Sequence, residues 1–270
     1  MKGKKILFIS SEVIPYMPQN EISSSTYMLP KLVNENEGQT RIFIPKYGII
    51  NERRHQLHEV IRLSGINLVI NDMDMPLILK VASIPKERMQ VYFIDSEDYF
   101  KGRLVEKDKN NNLYSDNDER AIFFAKGVIE TIKKLNWIPD LIHVHGWIAS
   151  LVTLYIKKYY NNDSLLENIR VLTSIYNTSV EGKLHKDFVK KILFDNINDE
   201  SIEILKKSTY ENLYNISILH SDAVIFVDKK SDYKESSDVN NKVVVHANMD
   251  EYHDKCLDIY KMILEQWELI

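Results

Sequence analysis

Two histidines stand two residues apart in the apolar run Pro139-Asp140-Leu141-Ile142-His143-Val144-His145, which continues into Gly146-Trp147. Alternate residues of a strand face one side, so both imidazoles could serve one site, as metal ligands or as acid–base groups. No further His, Cys or carboxylate pattern joins them at ligand spacing. The pair therefore reads as a packed His143 beside a site-facing His145, with no metal expected. A second stretch with chemical potential is the loop Met17–Ser25, between the apolar run Lys5–Ile9 and a helical segment. Such a strand-to-helix turn lies at the carboxyl edge of an open sheet, where free N–H groups and the positive end of the helix dipole suit an anion. Pro18-Gln19-Asn20-Glu21 works against that use. Proline brings neither charge nor N–H, and Glu21 puts a carboxylate where an anion would come. Two like charges about 4 Å apart repel by about 1 kcal/mol in water and about 4 kcal/mol at a partly buried site. The loop reads either as a surface turn with its helix cap or as an anion site weakened by Glu21.

Other chemical signatures are missing. The chain has no G-x-G-x-x-G, no phosphate-binding P-loop, no C-x-x-C and no G-x-S-x-G. Carboxylates are plentiful, but sequence alone nominates no acid–base pair among them.

The elements that must hold these residues follow a βαβ pattern. Lys5–Ile9 is the first strand. A helix starting near Ser24 or Ser25, with a hydroxyl cap, buries Met28, Leu29, Leu32 and Val33. Thr40–Ile44 is the second strand. From about 58 to 94, the runs Glu59–Leu63, Ile66–Ile70, Leu77–Ile84 and Gln90–Ile94 are β-prone with little room for helices. They predict a small antiparallel insertion or an edge extension of the main sheet. Lys107–Asn112 is an exposed loop and a site of local disorder. Asp116–Leu135 is a helix with Ile122, Ala125, Val128, Ile129 and Ile132 on one face and acids at its positive end. The His143–His145 strand is followed by a helix at Ala149–Tyr159, then strands at Arg170–Ser174, Ala223–Val227 and Lys242–Val245. Lys229–Asp238 reads as a solvated loop. An amphipathic helix over about 252–268 closes the chain, burying Tyr252, Cys256, Ile259, Ile263 and Trp267. The expectation is a doubly wound, Rossmann-like α/β domain spanning 1–270, with a mostly parallel sheet.

Length and composition agree with a globular protein: 270 residues, 44% hydrophobic and 27% charged. A net charge of −4 gives no reason to expect nucleic acid or an anionic membrane as partner. The single cysteine, Cys256, cannot form an internal disulfide and falls in an apolar stripe, so it reads as a buried structural thiol. Met1–Lys5 is charged like a signal peptide, but Glu12 follows too soon for a secretory apolar region. No run approaches the roughly 18 apolar residues of a membrane span, and a cytoplasmic location is expected.

Four ordered motifs carry a family resemblance. Ser11-Glu12-Val13-Ile14-Pro15-Tyr16, with Leu29-Pro30 and Ile44-Pro45-Lys46-Tyr47, resembles the start of bacterial glycogen synthases and plant starch synthases. Those enzymes read S-E-V-x-P-[FY]-x-K-T-G-G-L-x-D-V-x-x-x-L-P, then [IV]-P-x-Y. Pro139–Leu151 resembles their P-D-[IV]-[IV]-H-x-H-D-W-x-[AT]-x-L, with Gly146 in place of Asp. Thr173–Gly182 resembles T-[IV]-H-N-x-x-[YF]-Q-G, with Tyr176 for His and Glu181 for Gln. Ser221–Val227 resembles A-D-x-[IV]-x-x-V-S up to Asp228, which stands where the family has serine. At the centre of the first motif, Pro18-Gln19-Asn20-Glu21 replaces K-T-G-G.

The resemblance implies one half of a two-Rossmann-domain glycosyltransferase that moves glucose from ADP-glucose to an α-1,4-glucan, with retention, no metal and no cofactor. It places Glu12, Pro18, Gln19, Asn20, Glu21, Trp147, Tyr176 and Gly182 at the substrate, with His145 and Asn177 as catalytic candidates. The family's second domain supplies most nucleotide contacts, and a chain of this length has no room for it. With the K-T-G-G loop also replaced, activity of the chain alone is not expected. Three readings stay open: a transferase half completed by a separate chain, a noncatalytic glucan-binding or regulatory protein, and a different small-molecule enzyme in the remodelled cleft.

Overall fold

The computed structural model describes residues 1–177, 180–197, 200–228 and 242–265. The first unit is strand β1 (Lys5–Ser10), helix α1 (Glu21–Glu35) and strand β2 (Gln39–Pro45). Ile6 to Ser10 are all buried, as a central strand covered on both faces demands. A short helix α2 (Glu52–His55) leads into strands β3 (His58–Glu59), β4 (Ile66–Ile70), β5 (Met73–Ser83) and β6 (Gln90–Asp95). Helix α3 (Asn117–Lys134) precedes β7 (Leu141–His145), and α4 (Leu151–Leu154) precedes β8 (Arg170–Tyr176). Helices α5 (Phe188–Phe194) and α6 (Tyr210–Leu219) come before β9 (Ala223–Val227), followed by β10 (Val243–Ala247) and α7 (Met249–Glu265).

The strands form one sheet in the order β10-β9-β8-β7-β1-β2-β6-β5-β3, with β4 paired to β5. Every pair from β10 to β6 is parallel; the pairs made by β5 are antiparallel. The 58–94 segment is therefore an edge extension of the main sheet, joined to it through β6 on β2. Chain order runs outward from β1 to β2 and β6 on one side, and from β7 to β10 on the other. That reversal sets the topological switch point between β1 and β7, where ligands of open α/β sheets bind beyond the carboxyl ends. The loops after Ser10 and after His145 flank that crevice.

The structure corrects several local expectations. Helix α1 starts one turn before Ser24: Asn20 is its cap, accepting from Ser23 N while Ser23 Oγ returns a bond from Asn20 N, a capping box. Leu29 and Val33 are buried, but Met28 and Leu32 are only half-buried. Of Glu59–Leu63 only Glu59 lies in a strand; Ile61–Leu63 turns as a 3₁₀ helix with Ile61 82% exposed, so its β-prone side chain has nothing to pack on. The segment expected as a helix at Ala149–Tyr159 is a 3₁₀ turn, α4, and a π turn over Tyr155–Tyr159. Lys107–Asn112 is exposed at its tip and folds as a turn in which Asp108 accepts from the backbone N of Asn110 and Asn112. Helix α7 begins at Met249, ahead of Tyr252. Trp267, Lys229–Asp238 and Thr178-Ser179 lie outside the described residues.

α7 settles the destination of the terminal apolar stripe. It packs on α1, β9 and β10 and buries Tyr252, Cys256, Ile259, Tyr260, Ile263 and Leu264. No helix of the described residues is long and apolar enough to cross a membrane.

Candidate functional site

One wall of the crevice is the loop between β1 and α1. Ser10 Oγ accepts from Glu12 N and donates to Glu12 O, and Thr26 of α1 donates to the same hydroxyl, so the loop is tied to strand and helix together. Asn20 then does two jobs. Its Oδ1 caps α1, and its Nδ2 donates to Glu12 Oε2 at 2.6 Å. Ser23 N and Ser24 N are consumed by Asn20, leaving fewer free donors at this helix start than an anion site needs. Pro18, Gln19 and Asn20 are exposed, while Glu21 forms the first residue of the helix. Burial raises the Glu12 carboxyl above its ordinary value; the Asn20 bond opposes this and the charge of Glu106 adds to it. The loop thus presents carboxylates at Glu12 and Glu21.

The opposite wall starts at the end of β7. Both histidines are fully buried with ring centroids 3.9 Å apart; His143 is packed as expected, and His145 lies beside it with no surface open to solvent. His143 is satisfied at both nitrogens, by Tyr260 Oη at 2.6 Å and Ser174 Oγ at 2.7 Å. His145 pairs Nδ1 with Tyr176 Oη at 2.8 Å, and its buried Nε2 has no partner among the described residues. Burial lowers both histidines, His145 to about 3, helped by the neighbouring His253; both imidazoles are neutral at physiological pH. Among the described residues no group of three His, Cys, Asp or Glu side chains is placed to hold a metal ion.

In this chain the Gly146 backbone leaves no room for a side chain. Its φ is +80°, and a Cβ there would stand 2.3 Å from Ser11 Oγ and 2.9 Å from Ser11 Cβ. The two walls meet at this point, since Ser11 N also donates to His145 O. Trp147 is buried edge-on against Tyr210, its indole N–H without a partner among the described residues. Tyr176 is buried and joined to His145, whereas Asn177, Glu181 and Gly182 lie on an exposed loop. Gly182, at φ +132°, packs where a Cβ would strike Leu113.

The fold therefore brings together Glu12 with Asn20, and His145 with Tyr176, and leaves Asn177 and Gly182 apart from both pairs. Sequence reasoning missed a buried hub beneath the crevice. Arg120 is fully buried, bonds the carbonyls of Tyr99, Leu104 and Val105 and the side chain of Asn117, and lies over the Tyr47 and Tyr114 rings. It holds the loop that carries Glu106. The signal was available: an arginine on the apolar face of α3, one residue before the buried Ala121 and Ile122. Tyr252, His253 and Tyr260 of α7 were also missed, because an aromatic stripe reads as packing. A separate cavity of about 440 Å³, lined by Ser115, Asp116, Glu119, His185, Asp187 and Lys191 among others, includes none of the nominated residues.

Residues 5–235 match the family model described as the starch synthase catalytic domain. The chain is 33% identical over 235 residues to a glycogen synthase of Chlorobium luteolum, covering 83% of this chain and 48% of that protein. It is 34% identical over 222 residues to the glycogen synthase of Chlorobaculum tepidum, covering 82% and 45%. Among solved structures, the catalytic domain of starch synthase IV from Arabidopsis thaliana, bound to ADP and acarbose, superimposes with a TM-score of 0.71 at 14% identity, over 93% of this chain and 53% of that one. The chain spans about half the length of the curated relatives it matches.

Proposed function

This chain belongs to the starch synthase catalytic-domain family, and from that premise we propose that it is the glucan-facing half of a glucosyltransferase acting between ADP-glucose and an α-1,4-glucan. The glucan lies in the crevice between the loops after β1 and β7, where Glu12 and Asn20 offer polar groups to a polyhydroxyl ligand. His145 and Tyr176 stand just beneath.

The observation that carries this reading is the Glu12–Asn20–Ser23 arrangement at the start of α1. Asn20 occupies the helix cap, and Glu12 and Glu21 flank it with carboxylates. A departing diphosphate needs cations or open N–H groups preorganised around it; a neutral polyol does not. The groups that bind the diphosphate therefore come from another polypeptide segment, in cis or as a separate chain. Titration calorimetry with maltoheptaose and with ADP-glucose tests the proposal. Measurable binding of the glucan and much weaker binding of ADP-glucose are expected; tighter binding of ADP-glucose than of the glucan would overturn it.

A further inference from the structure

We propose that Tyr252, carried on α7, fixes the tautomer of His145, so that Nδ1 holds the proton and the buried Nε2 is presented as a lone-pair acceptor. Tyr252 is a positioning residue here, acting through Tyr176.

The inference is a count of protons along one hydrogen-bonded chain. Tyr252 Oη donates to Ser174 Oγ at 2.8 Å. A phenol has one proton, so in the contact between Tyr252 and Tyr176, at 3.0 Å, Tyr176 must be the donor. That spends the Tyr176 proton. The 2.8 Å contact between Tyr176 Oη and His145 Nδ1 then has a proton only if Nδ1–H donates it. Burial keeps His145 neutral, so a proton on Nδ1 leaves Nε2 bare.

The opposite tautomer fails on two counts. With the proton on Nε2, Tyr176 must donate to Nδ1, and its contact with Tyr252 then keeps a hydrogen only if Tyr252 gives up its bond to Ser174. An N–H at Nε2 would also be a buried donor with no partner among the described residues. The His145 ring has little freedom to escape this choice, held between Phe8, His143 and Tyr176 and flanked by His253. The middle member of the chain departs from the resembling motif: where that motif has histidine, residue 176 is a tyrosine with a single proton to give. A bare Nε2 can only accept a hydrogen bond, and with the ring fully buried a ligand hydroxyl must first gain access to it. That consequence rests on the functional reading above; the tautomer does not.

The test is nitrogen NMR of the full chain with ¹⁵N-labelled histidine, with His145 assigned through its side-chain carbons. Wild type is expected to show Nδ1 in the protonated range and Nε2 in the unprotonated range. Tyr252→Phe frees the Tyr176 proton for Nδ1, and His145 is expected to shift toward the Nε2–H form. Thiol labelling of Cys256, buried on the same helix, reports whether α7 stays docked in the variant. A wild-type His145 protonated at Nε2 overturns the proposal. So does a Tyr252→Phe protein with Cys256 still protected and the Nδ1–H tautomer unchanged. If the variant releases α7, the wild-type spectrum alone decides.

Discussion

Asn20 Nδ2 donates to Glu12 Oε2 at 2.6 Å while Asn20 Oδ1 caps helix α1, so one amide joins a partly buried carboxylate to the start of a helix. The arrangement makes the start of α1 at Pro18–Glu21 a closed cap and not an open anion cradle.

Removing that amide should therefore be felt twice. Asn20→Ala loses the cap, worth about 1 kcal/mol within a range of about 0.5–2, and leaves Glu12 without its donor. A loss of roughly 1–3 kcal/mol is expected in urea unfolding. Asn20→Asp should keep the cap but repel Glu12, and should fall between the two. Equal stability for wild type and Asn20→Ala would show that the cap carries no energy.

Glu12 gives a pH dependence. Burial and Glu106 raise its carboxyl in the folded state, with Asn20 only partly opposing them. The folded protein then binds a proton more tightly than the unfolded chain. The stability contributed by that proton is present below the ordinary glutamate value and is lost as pH rises through the raised one. Glu12→Gln removes this dependence, so its Tm relative to wild type should increase between about pH 4 and pH 7. A constant Tm difference across that range would contradict the assignment.

The aspartate that resembling synthases carry at position 146 should not be tolerated here. Gly146→Asp places a side chain at positive φ and against Ser11. Overpacking alone costs about 1–3 kcal/mol, with backbone strain in addition. Ser11→Gly in the same chain should recover part of the loss, because both close contacts are to the Ser11 side chain. Thermal melting of the single and double variants checks this.

How far the sequence foretold this site depends on the reach of the interactions involved. The β1–α1–β2 unit and β7 were legible, since continuous apolar runs and a 3.6-residue period are local signals. The start of α1 was misplaced because the serines at 24 and 25 are good caps, and only the reciprocal Asn20–Ser23 bonds select the earlier one. Helices α5 and α6 were not anticipated; they are short, and their burial comes from neighbours elsewhere in the chain. The histidine pair and the packing of His143 were found, but the partners of the two rings were not. Its partners are hydroxyls from far along the chain, Tyr260 being 117 residues from His143, and no spacing rule reaches that distance. The glycine at position 146 was visible in sequence, while its positive φ and its closeness to the Ser11 side chain were not.

Reversing the charge at the helix start should restore an anion site. Pro18→Lys with Glu21→Gly adds a cation and removes a carboxylate, favouring a diphosphate by roughly 1–3 kcal/mol if the loop is partly desolvated. Titration calorimetry with ADP should show tighter binding in the double variant, by a factor of about 5 or more. Unchanged affinity would mean that the loop does not face the ligand.

The chain on its own is expected to incorporate no glucose from ADP-glucose into glycogen. Neither Pro18 nor Glu21 can stabilise a departing diphosphate, and Asn20 holds the amides that might have done so. Radiolabelled glucose appearing in glycogen above a heat-denatured control would refute this.

Helix α7 should be indispensable to the fold. Its apolar face is spent within the molecule, on α1 and the β9–β10 edge, and is not left for a second subunit. Tyr252, Ile259, Tyr260, Ile263 and Leu264 are large and buried, and each is worth about 1.5–3 kcal/mol. Their sum is on the order of 10 kcal/mol, comparable with the whole stability of about 5–15 kcal/mol that a domain possesses. Truncation after Asn248 would also strip His143 of its Tyr260 partner and Ser174 of its Tyr252 bond, leaving polar groups of the central sheet unpaired. The truncated chain should lose its cooperative melting transition, monitored by circular dichroism. Light scattering separates this from the other use of such a stripe. If α7 were a subunit interface, truncation would leave a folded protein of smaller oligomeric size, and a soluble, cooperatively melting fragment of any size would contradict the intramolecular role.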